Sequence, residues 1–311
     1  MIKIIIGFLC ITFGLQSRVI PYPDFTESLF FHRLPQFEDD YERICSSFDA
    51  RCTSLFESIY RTQIEQAHAH PLAEKPRIPQ IIHQIWLGGS VPPLYCKWME
   101  SWASLAGWEY RLWTDEEVKS LYLYNRDLFD ATENLGERSD ILRLELLYQY
   151  GGLYVDTDME CVHPEYFEEL HRDFDFYIGV EPLGHGSIYK YRMFKFCNAV
   201  IGSTPHHALL NALIKNLKAN ALAYHHAGVV ERTGPSYITR IIVEYELRHA
   251  HQQRNIYLPT TFFYPITIYQ RNQLLADPSY PMPIFDETAA IHYWIGSWRP
   301  NDQAYCEDFS P

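Results

Sequence analysis

The stretch SDILRLELLYQYGGLYVDTDM, from Ser139 to Met159, decides the fold of this chain. It reads as a largely apolar helix, a glycine pair, a short apolar strand and two aspartates, Asp156 and Asp158. Glycine directly after a helix is a common way to end it. The pattern therefore predicts a helix that leads into a buried strand over LYVDTDM (153–159), with both carboxylates at its carboxyl end. Because side chains alternate along a strand, Asp156 and Asp158 are expected on the same side.

The segments before this stretch alternate in the same way. QIIHQIWLG (80–88) and WEYRLWT (108–114) read as strands, and PLYCKWMESWASLA (93–106) and DEEVKSLY (115–122) read as helices. Such alternation predicts an α/β fold with a mostly parallel sheet. Ligands of these sheets bind at the carboxyl ends of the strands, which is where Asp156 and Asp158 are expected.

Composition narrows the class of protein. The 311 residues are 47% hydrophobic and 15% aromatic, enough to build a large core. The formal net charge of -13, with no long basic run, argues against nucleic acid as a partner. An anionic ligand would need a cation to mediate its binding.

The amino terminus predicts three regions. Residues 1–17 (MIKIIIGFLCITFGLQS) have the length of a signal peptide or a short anchor, which predicts a secreted or membrane-associated protein and leaves cytoplasmic action open. Residues 18–77 read as a helical extension with a Pro-rich linker, and residues 78–311 as the main domain. Of the seven cysteines, six remain without the leader, so that disulfides and buried free thiols are both open.

The paired aspartates indicate a metal. Two carboxylates this close repel each other unless one is protonated or a cation lies nearby. A hard divalent ion, Mn²⁺ or Mg²⁺, would resolve the repulsion and could bridge phosphates. A second pair, Asp173 and Asp175, lies in a polar stretch, and we expect it to be solvated surface.

Four further residues are candidates for the same site. Asp140 and Arg143 share one face of the predicted helix, where they could also form a plain ion pair. Trp86, before two glycines, could stack on a flat ring or belong to the core. His292, in AIHYWIGSW (290–298), could bind the metal or simply pack among aromatic rings.

The order of these motifs, with FCNAVIGSTPHHAL (196–209) between the last two, resembles the DXD-containing sugar-transferase family. That family groups fungal initiating α-1,6-mannosyltransferases with bacterial enzymes and is distantly similar to the clostridial glucosylating toxins. The resemblance covers about Ile78 to Trp298. It implies a GT-A (Rossmann-like nucleotide-sugar-binding) fold, a nucleotide-sugar donor (UDP- or GDP-linked), a divalent metal and retention of anomeric configuration. The acceptor would be a carbohydrate, a lipid-linked sugar or a protein.

The resemblance also implies roles for individual residues. Asp158 and His292 would bind the metal together with Asp156, which also lies near the ribose and sugar of the donor. Asp140 and Arg143 would grip the hydroxyls of the donor sugar, and Trp86 would stack on the base. The remaining expected donor contacts are Asn198, Ser297 and Trp298.

Two rival functions fit parts of the pattern. A haloacid-dehalogenase-type phosphatase also places DxD after a buried strand, but Glu160 stands where its motif usually has Thr or Val. A catalytically silent sugar-nucleotide binder would keep the same residues. Since no residue stands out as a covalent nucleophile, we expect a same-face attack assisted by the leaving phosphate.

Overall fold

The computed structural model describes residues 18–30, 47–185, 193–250, 252–277 and 279–296. Its strands are β1 Ile81–Ile85, β2 Glu109–Trp113, β3 Gly152–Val155, β4 Met159–Cys161, β5 Phe176–Val180, β6 Phe196–Ser203, β7 Asn255–Leu258 and β8 Ala290–His292. Its helices, numbered over the described residues, are α1 Phe25–Phe30, α2 Ser47–His68, α3 Pro93–Ala103, α4 Asp115–Lys119, α5 Arg126–Ala131, α6 Leu135–Tyr150, α7 Pro164–Asp173, α8 Ala208–Ala223, α9 Val229–Arg232, α10 Pro235–His249 and α11 Ile268–Ala276. The predicted leader, residues 1–17, lies outside the described residues.

Six strands form the central sheet in the order β2-β1-β3-β6-β5-β7. Neighbouring strands are parallel except at β6, which runs antiparallel to both β3 and β5. Helix α6 packs against β1, β3 and β6, α10 packs against β6, and α8 packs against both α6 and α10. This mixed sheet with packed helices confirms the predicted α/β, Rossmann-like fold class.

Local chemistry accounts for the helix and strand at the centre of the fold. Asn134 caps α6 by accepting a hydrogen bond from the backbone N–H of Glu137. Gly151, with φ of 64°, ends the helix, and Gly152, with φ of 102°, starts β3. A Cβ on Gly152 would lie 2.4 Å from the carbonyl oxygen of Ile81, so β3 can pair with β1 here only through a glycine.

The strand predicted over LYVDTDM is two strands. β3 ends at Val155, and β4 starts at Met159, with Asp156 to Asp158 in the turn between them. β4 then pairs antiparallel with β8, which places Met159 opposite His292. The aspartates are therefore brought together by a turn and not by strand alternation.

Residues before the main domain share its core. Phe56 of α2 stacks on Phe194 and meets the rings of Phe196 and Tyr257 edge-on. Residues of α1 and α2 belong to the same continuous hydrophobic cluster as the central sheet.

The second aspartate pair is not solvated surface, and that prediction was wrong. Asp173 is 3% exposed and forms an ion pair with Arg18. Asp175 accepts a hydrogen bond from Arg77 Nε at 2.8 Å. Both aspartates hold amino-terminal segments against the domain, through partners so distant in sequence that the local pattern cannot reveal them.

Candidate donor and metal site

The turn that carries Asp156 and Asp158 is fixed by backbone hydrogen bonds from two directions. The N–H of Asp156 donates to the carbonyl oxygen of Ala199 on β6 at 2.8 Å. The N–H of Ile295 donates to Asp158 Oδ2 at 2.8 Å, and that of Tyr293 donates to the Asp158 carbonyl at 3.0 Å. The carboxyl-terminal segment therefore holds the second aspartate in place.

Asp156, Asp158 and His292 form a cluster of metal-ligating side chains. One potential ligand atom from each lies within 4.8 Å of the others. Two carboxylate oxygens and one imidazole nitrogen suit Mn²⁺, and the carboxylates also suit Mg²⁺. These three residues therefore fit a divalent metal.

The three residues of this cluster differ in the direction of their pKa shifts. Burial raises the pKa of Asp156, although Arg143 acts in the opposite direction. Burial also acts to raise the pKa of Asp158, but the positively charged His292 outweighs it and lowers that pKa. Burial disfavours the charged ring of His292, yet Asp158, 3.2 Å away, raises its pKa to about 10. A proton on His292 thus balances the acids, and a divalent cation could take over that role.

Arg143 connects the potential metal ligand Asp156 with Asp140, the other residue expected to bind the donor sugar. Its Nη1 donates to Asp156 Oδ1 at 3.1 Å and to the carbonyl oxygen of Asn198 at 2.6 Å. Its Nη2 lies 3.2 Å from Asp140 Oδ1, and its guanidinium lies 4.4 Å from the ring centre of Tyr154. With 5% exposure, Arg143 has a single arrangement that serves two carboxylates.

Asp140 is held at both oxygens. Asn198 Nδ2 donates to Oδ1 at 2.8 Å, and Thr233 Oγ1 donates to Oδ2 at 2.9 Å. Burial raises the pKa of Asp140 to about 6, with Arg143, Thr233 and Asn198 acting against the rise. At neutral pH the carboxylate is therefore ionised, oriented and able to accept a hydrogen bond from a sugar hydroxyl.

Trp86 lines the same cavity as Asp140 and Arg143. It follows β1, is partly exposed and packs against Tyr95 with ring centres 4.8 Å apart. The cavity has a volume of about 360 Å³. Its lining includes Trp86, Tyr95, Arg143 and the three potential metal ligands. A volume of this order suits a small ligand.

The cavity brings most of the predicted residues together. Its lining includes Trp86, Asp140, Arg143, Asp156, Asp158, Asn198 and His292. Ser297 and Trp298 lie outside the described residues, so their predicted roles stay predictions.

Several residues that line the cavity or bind a lining residue were not predicted from the sequence. Tyr154 donates to Asp156 Oδ1 at 2.6 Å, and period-two spacing on β3 could have suggested this contact. Thr233, Glu181, His185 and Lys195 had no such signal, because non-local packing brings them to the site.

Comparisons with known proteins agree with the resemblance seen in the sequence. Residues 94–173 match the family described as "Glycosyltransferase sugar-binding region containing DXD motif". Over 244 residues the chain is 29% identical to inositol phosphoceramide mannosyltransferase 2 of Schizosaccharomyces pombe, covering 74% of this chain and 61% of that protein. Over 176 residues it is 29% identical to mannosyl phosphorylinositol ceramide synthase CSH1 of Saccharomyces cerevisiae, covering 54% of this chain and 43% of that protein.

The chain thus spans less than two thirds of the length of either relative. Among solved structures, the PaToxG glycosyltransferase aligns at a TM-score of 0.45 and 15% identity, over 64% of this chain and 80% of that one.

Proposed function

We propose that this protein is a retaining, metal-dependent glycosyltransferase, because residues 94–173 match the family of DXD-containing glycosyltransferase sugar-binding regions. It would transfer a hexose from a UDP- or GDP-linked donor to a hydroxyl of a glycan, lipid or protein acceptor. The observation that carries the proposal is that Arg143 forms ion pairs with both Asp140, expected to bind the sugar, and Asp156, a potential metal ligand.

Each part of the cavity has a role in the proposed reaction. A divalent metal held by Asp158, His292 and Asp156 would supply Lewis-acid stabilisation of the leaving diphosphate. Asp140, Arg143 and Asn198 would fix the sugar by hydrogen bonds to its hydroxyls, which places the anomeric carbon for attack.

Trp86 would stack on the base, since one side of its indole faces the cavity. We place Ser297 and Trp298 beside the phosphates on the strength of the sequence resemblance.

Retention would follow from a same-face attack. Asp140 and Asp156, which we assign to the donor sugar, are both engaged by Arg143. We therefore favour a single displacement in which the leaving phosphate takes the acceptor proton over a covalent intermediate.

The names of the two relatives make mannose the first sugar to test and an inositol phosphoceramide the first lipid acceptor. We also propose that residues 78–311 form the catalytic domain, with residues 18–77 packed on it. The signal-like residues 1–17 would direct the chain out of the cytosol. Among the described residues, no helix is both long enough and apolar enough to cross a membrane.

Donor hydrolysis tests the proposal directly. UDP- and GDP-sugars would be incubated with the protein and Mn²⁺, Mg²⁺ or EDTA, and nucleotide release measured. We expect metal-dependent release from one donor, lost in Asp158→Asn. Asp175→Asn is the matched control, since it removes a carboxylate from the other DxD pair, where Asp175 binds Arg77.

Two results would reject the transferase. Nucleotide binding without release or transfer, whatever the acceptor, would indicate a silent binder. Release of phosphate from aryl phosphates, with no activity on nucleotide sugars, would indicate a phosphatase in which Asp156 is the nucleophile.

A further inference from the structure

Three buried side chains line the cavity and have no role in the reaction described above. Glu181, His185 and Lys195 are 6%, 2% and 3% exposed, and each contributes to the cavity wall. Buried charged groups are costly unless they are paired, so a charged cluster at a substrate cavity calls for an explanation.

The three side chains form a connected set. Lys195 Nζ lies 3.7 Å from Glu181 Oε2, and His185 Nδ1 lies 3.2 Å from Glu181 Oε1. The N–H of Ile268 donates to His185 Nε2 at 3.0 Å, which fixes the His185 proton on Nδ1, where it donates to Glu181. The set therefore carries one negative and one positive charge and both donors and acceptors.

Strand order locates this set relative to the donor. Trp86 follows β1, Asp156 follows β3, Asn198 lies on β6 and Glu181 follows β5. These strands are neighbours in the order β1-β3-β6-β5, so the four residues succeed one another along one edge of the sheet. Because β6 is antiparallel, its first residues, next to Lys195, lie at the edge where β3 and β5 end.

A donor that extends from Trp86 to Asn198 occupies the β1, β3 and β6 part of this edge. The β5 end of the cavity, with Glu181, then lies beyond the sugar. A transferase must bind its second substrate next to the anomeric carbon in the same cavity. The unassigned charged set lines the part of the cavity that this donor position leaves free.

We propose that Glu181, Lys195 and His185 form the acceptor subsite and recognise a neutral hydroxylated ring, either a sugar or an inositol. The Glu181–Lys195 pair has no net charge, which favours a neutral polyol over an anion as its direct ligand. This inference rests on the proposed function. In the reaction a bond forms between an acceptor hydroxyl oxygen and the anomeric carbon. The bond from that carbon to the diphosphate oxygen breaks, and its electron pair leaves with the diphosphate, which takes the hydroxyl proton.

The test compares transfer with donor hydrolysis in the full-length protein. Wild type, Glu181→Gln, Lys195→Met and the double variant would be assayed with methyl α-mannoside and, separately, with a short-chain inositol phospholipid. We expect the acceptor KM to rise about 10- to 100-fold for the probe that the subsite recognises, as lost hydrogen bonds to charged groups predict. The loss of transfer should exceed any loss of donor hydrolysis at least about tenfold. The responding probe then identifies the ring as sugar or inositol.

The double variant is included because it removes both buried charges together, so that neither is left buried without its partner and the fold is retained. Lys218→Met, which breaks an exposed pair with Asp127, is the control for loss of a lysine. An unchanged acceptor KM in a folded double variant would overturn the subsite. Equal losses of transfer and hydrolysis would place the set in the donor site instead. Absence of donor hydrolysis in wild type would instead count against the proposed function itself.

Discussion

Replacing Arg143 by Met tests the electrostatic design of the site. The variant loses ion pairs to Asp156 at 3.1 Å and Asp140 at 3.2 Å, and a 2.6 Å bond to the Asn198 carbonyl. Since Asp140 stays buried and Asp156 partly buried without their cation, we expect the free energy of unfolding to fall by about 3–5 kcal/mol. The rate of nucleotide-sugar hydrolysis should fall about 10²- to 10³-fold, because the residues that bind the sugar lose their guanidinium hydrogen-bond donor.

The pH dependence gives the sharper measurement. The pKa of Asp140 is already raised to about 6 in the folded protein, above about 3.9 in an unfolded chain. A raised folded-state pKa means that stability is full at low pH and is lost as pH rises through that pKa. Without Arg143 the pKa rises further, so the difference in stability between variant and wild type should be larger at pH 7.5 than at pH 5.

Urea unfolding at both pH values would measure this difference. Arg138→Met, on the same helix, is the matched control, because Arg138 donates to the Thr132 carbonyl and touches no carboxylate of the site. A destabilisation below about 1 kcal/mol for Arg143→Met, or one equal at both pH values, would refute the reasoning.

Three further predictions concern single side chains. Thr233→Val should raise the pH below which activity is lost, because Asp140 loses a hydrogen bond that favours its ionised form. Thr233→Ser should keep the wild-type pH profile, and identical profiles for Thr233→Val and wild type would contradict the prediction. Trp86→Ala should weaken nucleotide binding by about 1–3 kcal/mol in calorimetry, as lost base stacking predicts; unchanged affinity would place the base elsewhere. His171 is buried, and its pKa is lowered to about 3. Its contribution to stability is therefore full above about pH 6.5 and falls by about 1.4 kcal/mol per pH unit below that pH. In urea unfolding, His171→Gln should flatten this part of the plot of stability against pH.

The sequence could predict the part of the site whose signals are local. Asp140 and Arg143 are three residues apart on one helix, and Asp156 follows the next strand, so periodicity and strand order predicted their proximity, while their roles were implied by the family resemblance alone. The turn at Asp156 to Asp158 was missed because VDTDM continues the apolar strand pattern, and only the pairing of β4 with β8 separates the two strands.

Residues that reach the site by tertiary packing left no local signal. Thr233 lies 93 positions from Asp140, to which it donates. Glu181 and Lys195 meet because β5 and β6 pair, and nothing in the spacing of either residue indicates that pairing. The misjudged Asp173 and Asp175 have the same cause, since their arginine partners precede the main domain.

The pairing of β4 with β8 also has a consequence for how the protein is made. Asp158 and His292 are 134 positions apart, yet they adjoin one short two-stranded ladder. All strands of the central sheet precede β8 in the chain, so the whole sheet is synthesised before His292. The proposed nitrogen ligand, His292, and the backbone donors of Tyr293 and Ile295 then follow together. A nascent chain would therefore gain its cation-binding ability in one late step, after the scaffold had formed.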